Sequence, residues 1–193
     1  MKKIETLSSI VNQILSTYIT VSAYDYGEYT ITVNKNNIHE VLTILKNNPD
    51  TLFEQCIDVC GVDYLEYKNE YVGDRFAVVY HLLSVKNNFR IRVKAYIPDG
   101  DNPNIDSVQD IFNSANWCER EVFDLYGITF NNHPDLRRIL TDYGFVGHPF
   151  RKDFPLSGYV EMKYNVDQKR VVYQPVTIPP REITPKVIRK RGA

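Results

Sequence analysis

The chain has 193 residues, 43% hydrophobic and 24% charged, with a formal net charge of −1, the make-up of a globular domain with a proper core plus appended segments. No window approaches the ~18 consecutive apolar residues of a membrane-spanning helix. The opening MKKIETLSSIVNQIL has neither the apolar block of a secretory signal nor the acid-poor pattern of a transit peptide.

Taken in chain order, Ile4, Leu7, Val11, Ile14, Leu15 and Tyr18 fall at helical spacing and predict an amphipathic helix. ITVSAYDYGEYTITV alternates around Gly27-Glu28 and predicts a hairpin. Asn36 or Asn37 is placed to cap a second helix whose apolar face is Ile38, Val41, Leu42 and Leu45, ended by Pro49. QCIDVCGVDY reads as a strand, and RFAVVYHLLSV and FRIRVKAYI flank the turn residues KNN as a second hairpin. In the latter strand Phe89, Ile91, Val93 and Ala95 face one way and Arg90, Arg92 and Lys94 the other, so one side of the sheet is dry and the other wet.

Further on, Ser107 is placed to cap a helix through VQDIFNSA, and a helix around WCEREVFDLYG ends at Gly127. Residues 128–158 then lose periodicity, YVEMKYNVDQKRVVYQPV alternates as another hairpin (159–176), and TIPPREITPKVIRKRGA is biased toward polyproline geometry. The expected architecture is α+β. A small mixed or antiparallel sheet covered by helices forms a body over 1–127, and an irregular segment with an extended basic tail runs over 128–193.

The three cysteines, Cys56, Cys60 and Cys118, build no secreted disulfide framework, which favours a reducing compartment. Cys56 and Cys60 have no second pair with which to hold zinc or an iron–sulfur cluster, and buried structural thiols are the simpler reading. His133 and His148 lie among Asp135, Asp142 and Asp153, at no recognised metal spacing. No Gly-rich phosphate loop and no nucleophile elbow is present. From Lys169 onward seven basic side chains stand against Glu182 alone, a net +6, which leaves residues 1–168 at −7. Such a tail suits an anionic partner. A nucleic-acid-binding protein is the alternative this raises, although the tail lacks the aromatics of a stacking platform. A hydrolase using Glu119, Glu121 or Asp124 is the enzyme-class alternative.

The segment EREVFDLYGITFNNHPDLRRILTDY closely resembles the signature of the thirty-kilodalton subunit family of respiratory complex I, NADH:ubiquinone oxidoreductase, whose members are the C subunit in bacteria and subunit 9 where mitochondria encode it. Glu119, Arg120, Glu121 and Asp124 stand with His133, Arg137 and Asp142 at the family's spacing, and GFVGHPFRKDFPLSGYVEMKYN continues the likeness through about Gln174. The resemblance implies a peripheral-arm subunit that embraces the hydrogenase-like quinone-site subunit. By the same implication it holds no FMN, iron–sulfur cluster or ubiquinone itself, spans no membrane and binds no nucleic acid. Arg138, Tyr143, His148, Arg151, Lys152 and Asp153 join the signature residues as an expected docking surface, since arginine beside aromatics is a protein-binding composition. The absent presequence and the AT-rich residue usage suggest the matrix side of a mitochondrial inner membrane, with the cytoplasmic face of a bacterial membrane as the alternative.

Overall fold

The computed structural model describes residues 2–65, 67, 73–100 and 102–178. The polyproline reading of the tail falls largely on 179–193, outside the described residues.

The N-terminal helix α1 (Lys2–Ile14) buries Leu7 and Val11, with Leu15 just past its end. Strands β1 (Ile19–Asp25) and β2 (Glu28–Asn34) form the first hairpin. Its two-residue turn puts Tyr26 and Gly27 at φ 53° and 83°, the positive-φ pair that matches the twist of the flanking strands. Helix α2 (Ile38–Asn47) buries Ile38, Val41, Leu42 and Leu45. A 3-10 turn leads into it, and the Asn34 side chain caps that turn at the N–H of Asn36.

Strands β3 (Gln55–Asp63), β4 (Phe76–Ser84) and β5 (Phe89–Ile97) complete a five-stranded sheet of order β1-β2-β5-β4-β3. Neighbours are antiparallel except β2 and β5, which run parallel. Cross-strand register aligns Val59, Tyr80, Val93 and Ile31 on one face, where they pack with Val11, Val41 and Leu45 of the helices in a single core. Burial of this many branched and aromatic side chains, at about 25 cal/mol per Å² of apolar surface, is the main force holding the sheet to its helices.

After β5 a short strand β6 (Asn104–Asp106) pairs in parallel with β7 (Thr129–Asn131). Between them runs α3 (Ala115–Tyr126), packed against β3 and closed by Gly127 in the left-handed region at φ 72°. The helix expected through VQDIFNSA is instead a short series of turns. Val108 O accepts from the N–H groups of both Ile111 and Phe112, and Ala115 N then returns to Phe112 O, so helical bonding does not propagate before α3 begins. The Ser107 hydroxyl still accepts from Gln109 N, but it donates to Glu119 and thus ties the turn to α3.

The chain divides into two compact units, Met1–Phe154 and Pro155–Ala193. The first continues past Gly127 because backbone and side-chain groups of α3 and a side chain of β3 hold residues 133–153 by hydrogen bonds. The second contains an antiparallel hairpin of β8 (Val160–Asn165) and β9 (Arg170–Pro175). No helix among the described residues is long and apolar enough to cross a membrane.

Candidate functional site

Helix α3 is unusual in burying charge: Glu119, Arg120 and Asp124 are all at most 7% exposed. A charged side chain in an apolar interior survives only with partners, and each of these finds them in the irregular segment or the turn before α3. Asp124 accepts from the N–H groups of Ile139, Leu140 and Thr141 at 2.8–3.0 Å, from the Thr141 hydroxyl at 2.5 Å and from Arg138 at 2.9 Å. Burial would raise its carboxyl, but the Thr141 hydroxyl and these three backbone donors outweigh it and hold the group well below the usual carboxylate range. Arg138 also donates to Thr141 Oγ1 and Gly147 O. Arg120 donates to the carbonyls of Arg137 and Arg138, and its guanidinium lies 5.1 Å from the centre of the Trp117 ring.

Glu119 is the odd member. It accepts from Ser107 Oγ at 2.6 Å and Val108 N at 2.8 Å, and burial pushes its carboxyl up to about 7 against the pull of those bonds. His133 Nε2 stands 3.9 Å away with its side chain fully buried. That nitrogen donates to Asn116 O while Nδ1 accepts from Asp135 N, so the ring is the neutral Nε2–H form, and burial lowers its pKa accordingly.

The C-terminal carbonyls of α3 are taken up by the same segment. His148 Nδ1 donates to Asp124 O, Phe150 N to Leu125 O and Arg151 Nε to Tyr126 O. A third anchor sits on β3, where Asp63 receives Arg75 twice at 3.1 Å and Lys152 N at 2.9 Å, while Asp153 pairs with Arg75 at 2.8 Å. Of the residues singled out in the sequence, Glu119, Arg120, Asp124, His133, Arg138, His148 and Arg151 therefore meet around α3 inside the first unit, while the backbone of Lys152 and the half-exposed Asp153 are tied to Asp63 and Arg75. Glu121, Arg137, Asp142 and Tyr143 face outward. Arg137 pairs with Asp135 at 2.8 Å, and Asp142 O accepts from Phe145 N.

Apolar side chains are exposed around the network as well. Trp117, Leu140, Tyr143, Val146 and Phe150 are each more than half exposed. Burial pushes the thiols of Cys56 and Cys60 up to about 12. Among the described residues no group of three or more His, Cys, Asp or Glu is placed to hold a metal ion.

Residues 31–160 match the model of the respiratory-chain NADH dehydrogenase 30 kDa subunit. This chain belongs to that family. A similar protein is the C subunit of the NADH-quinone oxidoreductase of Neisseria meningitidis, 57% identical over 193 residues, covering 100% of this chain and 98% of that one. Another is the corresponding NADH-quinone oxidoreductase subunit of Burkholderia multivorans, 58% identical over 97% of this chain and 94% of its own. Among solved structures, a chain of the membrane-bound sulfane sulfur reductase, an archaeal respiratory membrane complex, superposes with a TM-score of 0.63 at 28% identity, covering 77% of this chain and 85% of that one.

In this 30 kDa-family chain some participants carry no such role in the sequence pattern. Ser107 reads only as a cap, whereas its hydroxyl holds Glu119. Asp63 and Arg75, far upstream, anchor Lys152 and Asp153. No local pattern signals a partner 89 residues away, as Asp63 is for Lys152.

Proposed function

We propose that this chain is a cofactor-free docking subunit in the peripheral arm of a proton-pumping NADH:quinone oxidoreductase, seated on the hydrogenase-like subunit that forms the quinone site. In this reading FMN, the iron–sulfur clusters and the quinone belong to other subunits, and the isolated chain turns nothing over. Its place is peripheral, on the cytoplasmic face of a bacterial plasma membrane, in keeping with the bacterial relatives.

The observation that carries this reading is the β8–β9 hairpin. Register puts Val160, Met162, Tyr164, Val171, Tyr173 and Pro175 on one face, and the first five are 56–64% exposed. Two strands alone are marginally stable in water, and a contiguous exposed apolar face of this kind marks a protein contact. Electron transfer needs cofactors at fixed separations, so a brace beside the quinone-site subunit supplies position, and the clamp on α3 supplies the rigidity a brace needs.

The test is solubilisation of native membranes in mild detergent, with native-gel NADH-dehydrogenase staining and mass spectrometry. The wild-type chain co-migrates with an NADH-oxidising assembly that contains the quinone-site subunit. Met162→Asp with Tyr173→Asp lowers its share in that assembly by at least about tenfold, since each aspartate puts a charge into a desolvated contact. A wild-type chain running free, wild-type incorporation of the double variant, or turnover by the isolated chain each overturns the proposal.

A further inference from the structure

The five-stranded sheet has two faces, and the described helices of the first unit cover only one. On the other, β5 presents Arg90, Arg92 and Lys94 at alternate positions. Register sets Arg92 between His81 of β4 and Thr30 of β2, and Lys94 between Val79 and Thr32. Arg90 lies opposite Leu83, and Val21 of β1, opposite Thr32, is 58% exposed. The acids on this side include Glu28 and Asp25 at the turn of the first hairpin, Asp58 opposite His81, and Asp74, which lines a hollow with Thr32 and Tyr96. Glu28 is ion-paired with Arg92. Arg90 and Lys94 have no acidic partner among the described residues, so the middle of the face is cationic in a stretch, residues 1–168, whose net charge is −7.

Composition sets this face apart from an ordinary wet one: arginine, threonine, valine, leucine and tyrosine interleave on one flat surface, a mixture closer to a protein contact than to a solvated lysine-rich face.

We propose that this open face is a second docking surface, and that it takes an acidic helix of a neighbouring subunit laid along β5. Alternate residues on a strand stand about 6.8 Å apart, close to the ~6 Å rise between positions i and i+4 of a helix. Carboxylates at i, i+4 and i+8 therefore meet Arg90, Arg92 and Lys94 in turn, while apolar residues beside them settle on Leu83 and Val21, Val79 being already buried beneath its neighbours. Such a helix supplies a layer on the open face and completes a three-layer α/β arrangement. Nucleic acid fits less well, since residues 1–168, which carry this face, have a net charge of −7.

The inference rests on the reading of this chain as a subunit of a larger assembly, and the experiment separates the two. Full-length wild-type chain and Arg90→Glu with Lys94→Glu are expressed in cells lacking the native copy. The assembly is isolated on native gels and then stripped with increasing salt. Benzoylphenylalanine is placed at Thr32 in parallel, and its photo-adducts are sequenced. Wild-type chain found in the assembly upholds the docking-subunit reading whatever follows. The expected result is a loss of affinity on the order of tenfold for the double glutamate variant, read as release at lower salt, because charge reversal sets like charges face to face. The Thr32 adduct maps to a helix carrying carboxylates at i and i+4. Arg90→Gln with Lys94→Gln, which adds no repulsion, shows a smaller shift in the same direction and guards against a folding defect in the glutamate pair. Variants that assemble and strip like wild type, or a Thr32 adduct on a segment without acidic residues, overturn the inference. So does binding of the wild-type chain, lost in the variant, to vesicles of phosphatidylethanolamine and phosphatidylglycerol, which assigns the face to lipid headgroups.

Discussion

Asp124 shows how one carboxylate organises a stretch of chain that has no regular structure of its own. Three consecutive N–H groups, a hydroxyl and a guanidinium converge on it, and none of them belongs to a helix or strand. A buried carboxylate can be left with few bonds only at the full cost of desolvation, so the count of donors is what makes the site stable. Asp124→Asn keeps the shape but replaces one oxygen with a donor that faces other donors. It should destabilise the first unit by about 2–3 kcal/mol, a fall in melting temperature of roughly 4–12 °C for a unit of this size. Differential scanning calorimetry measures the shift, and limited trypsin digestion locates it. Cleavage after Arg137 or Arg138 should accelerate before cleavage elsewhere, because the Arg138 side chain and the N–H of Ile139 are held by Asp124 itself. A uniform acceleration at all sites would assign Asp124 to global stability instead of to this segment.

At the scale of elements, the pieces legible in the sequence are those whose side chains repeat. The apolar periodicities of α1 and α2, the alternation of β5 and the glycine at the end of α3 each report a local physical requirement, and each stands where it is expected. The turns of 108–114 read as a helix in the sequence because a plausible cap and an apolar spacing do not reveal that the Ser107 hydroxyl is committed to Glu119. Within the candidate site, the residue types on α3 are visible, but their direction is not. Periodicity does not say whether a charged residue on a helix faces water or a polar loop, and that depends on where residues 133–153 lie. Gly127 ties the two scales together. Its φ of 72° disfavours any side chain, and a Cβ there would stand 2.6 Å from the His148 ring and 2.7 Å from Arg151 Nη2. Gly127→Ala therefore strains the backbone by about 1 kcal/mol and also displaces the two side chains that cap α3. A loss of about 2 kcal/mol is expected by urea unfolding. Gly100→Ala, at an open position with nothing within 4 Å, serves as the control and should change stability by under about 0.5 kcal/mol.

For the molecule as a whole, two carboxylates on one helix are shifted in opposite directions, and the dependence of stability on pH follows from both. Asp124 binds its proton less readily when folded than when unfolded. Its contribution is therefore complete above the unfolded value of about 3.9 and is lost as acid drives the proton on. Glu119 is the reverse case, raised from 4.5 to about 7 in the folded chain. Its favourable share is complete below pH about 4.5 and disappears as pH rises through about 7, where the folded chain must ionise a carboxyl that has no exposure to water. Stability should accordingly peak near pH about 4.5–5 and decline toward pH 8 by as much as about 3 kcal/mol. Glu119→Gln preserves the size of the side chain. Its oxygen can accept from Val108 N and its amide can donate to the Ser107 hydroxyl, so the bonds survive without the charge. Urea unfolding at pH 5, 6, 7 and 8 should show the decline in the wild-type chain and, in the glutamine variant, no decline but a slight rise, with the gain largest at pH 8. The fall below pH 4 should persist in that variant, because it belongs to Asp124. A glutamine variant that still loses stability between pH 5 and 8 would move the titrating group elsewhere. Burial lowers the pKa of two histidines, His133 and His148, so they oppose the trend of Glu119 by favouring the folded state as pH rises, and the wild-type slope measures Glu119 net of that opposition.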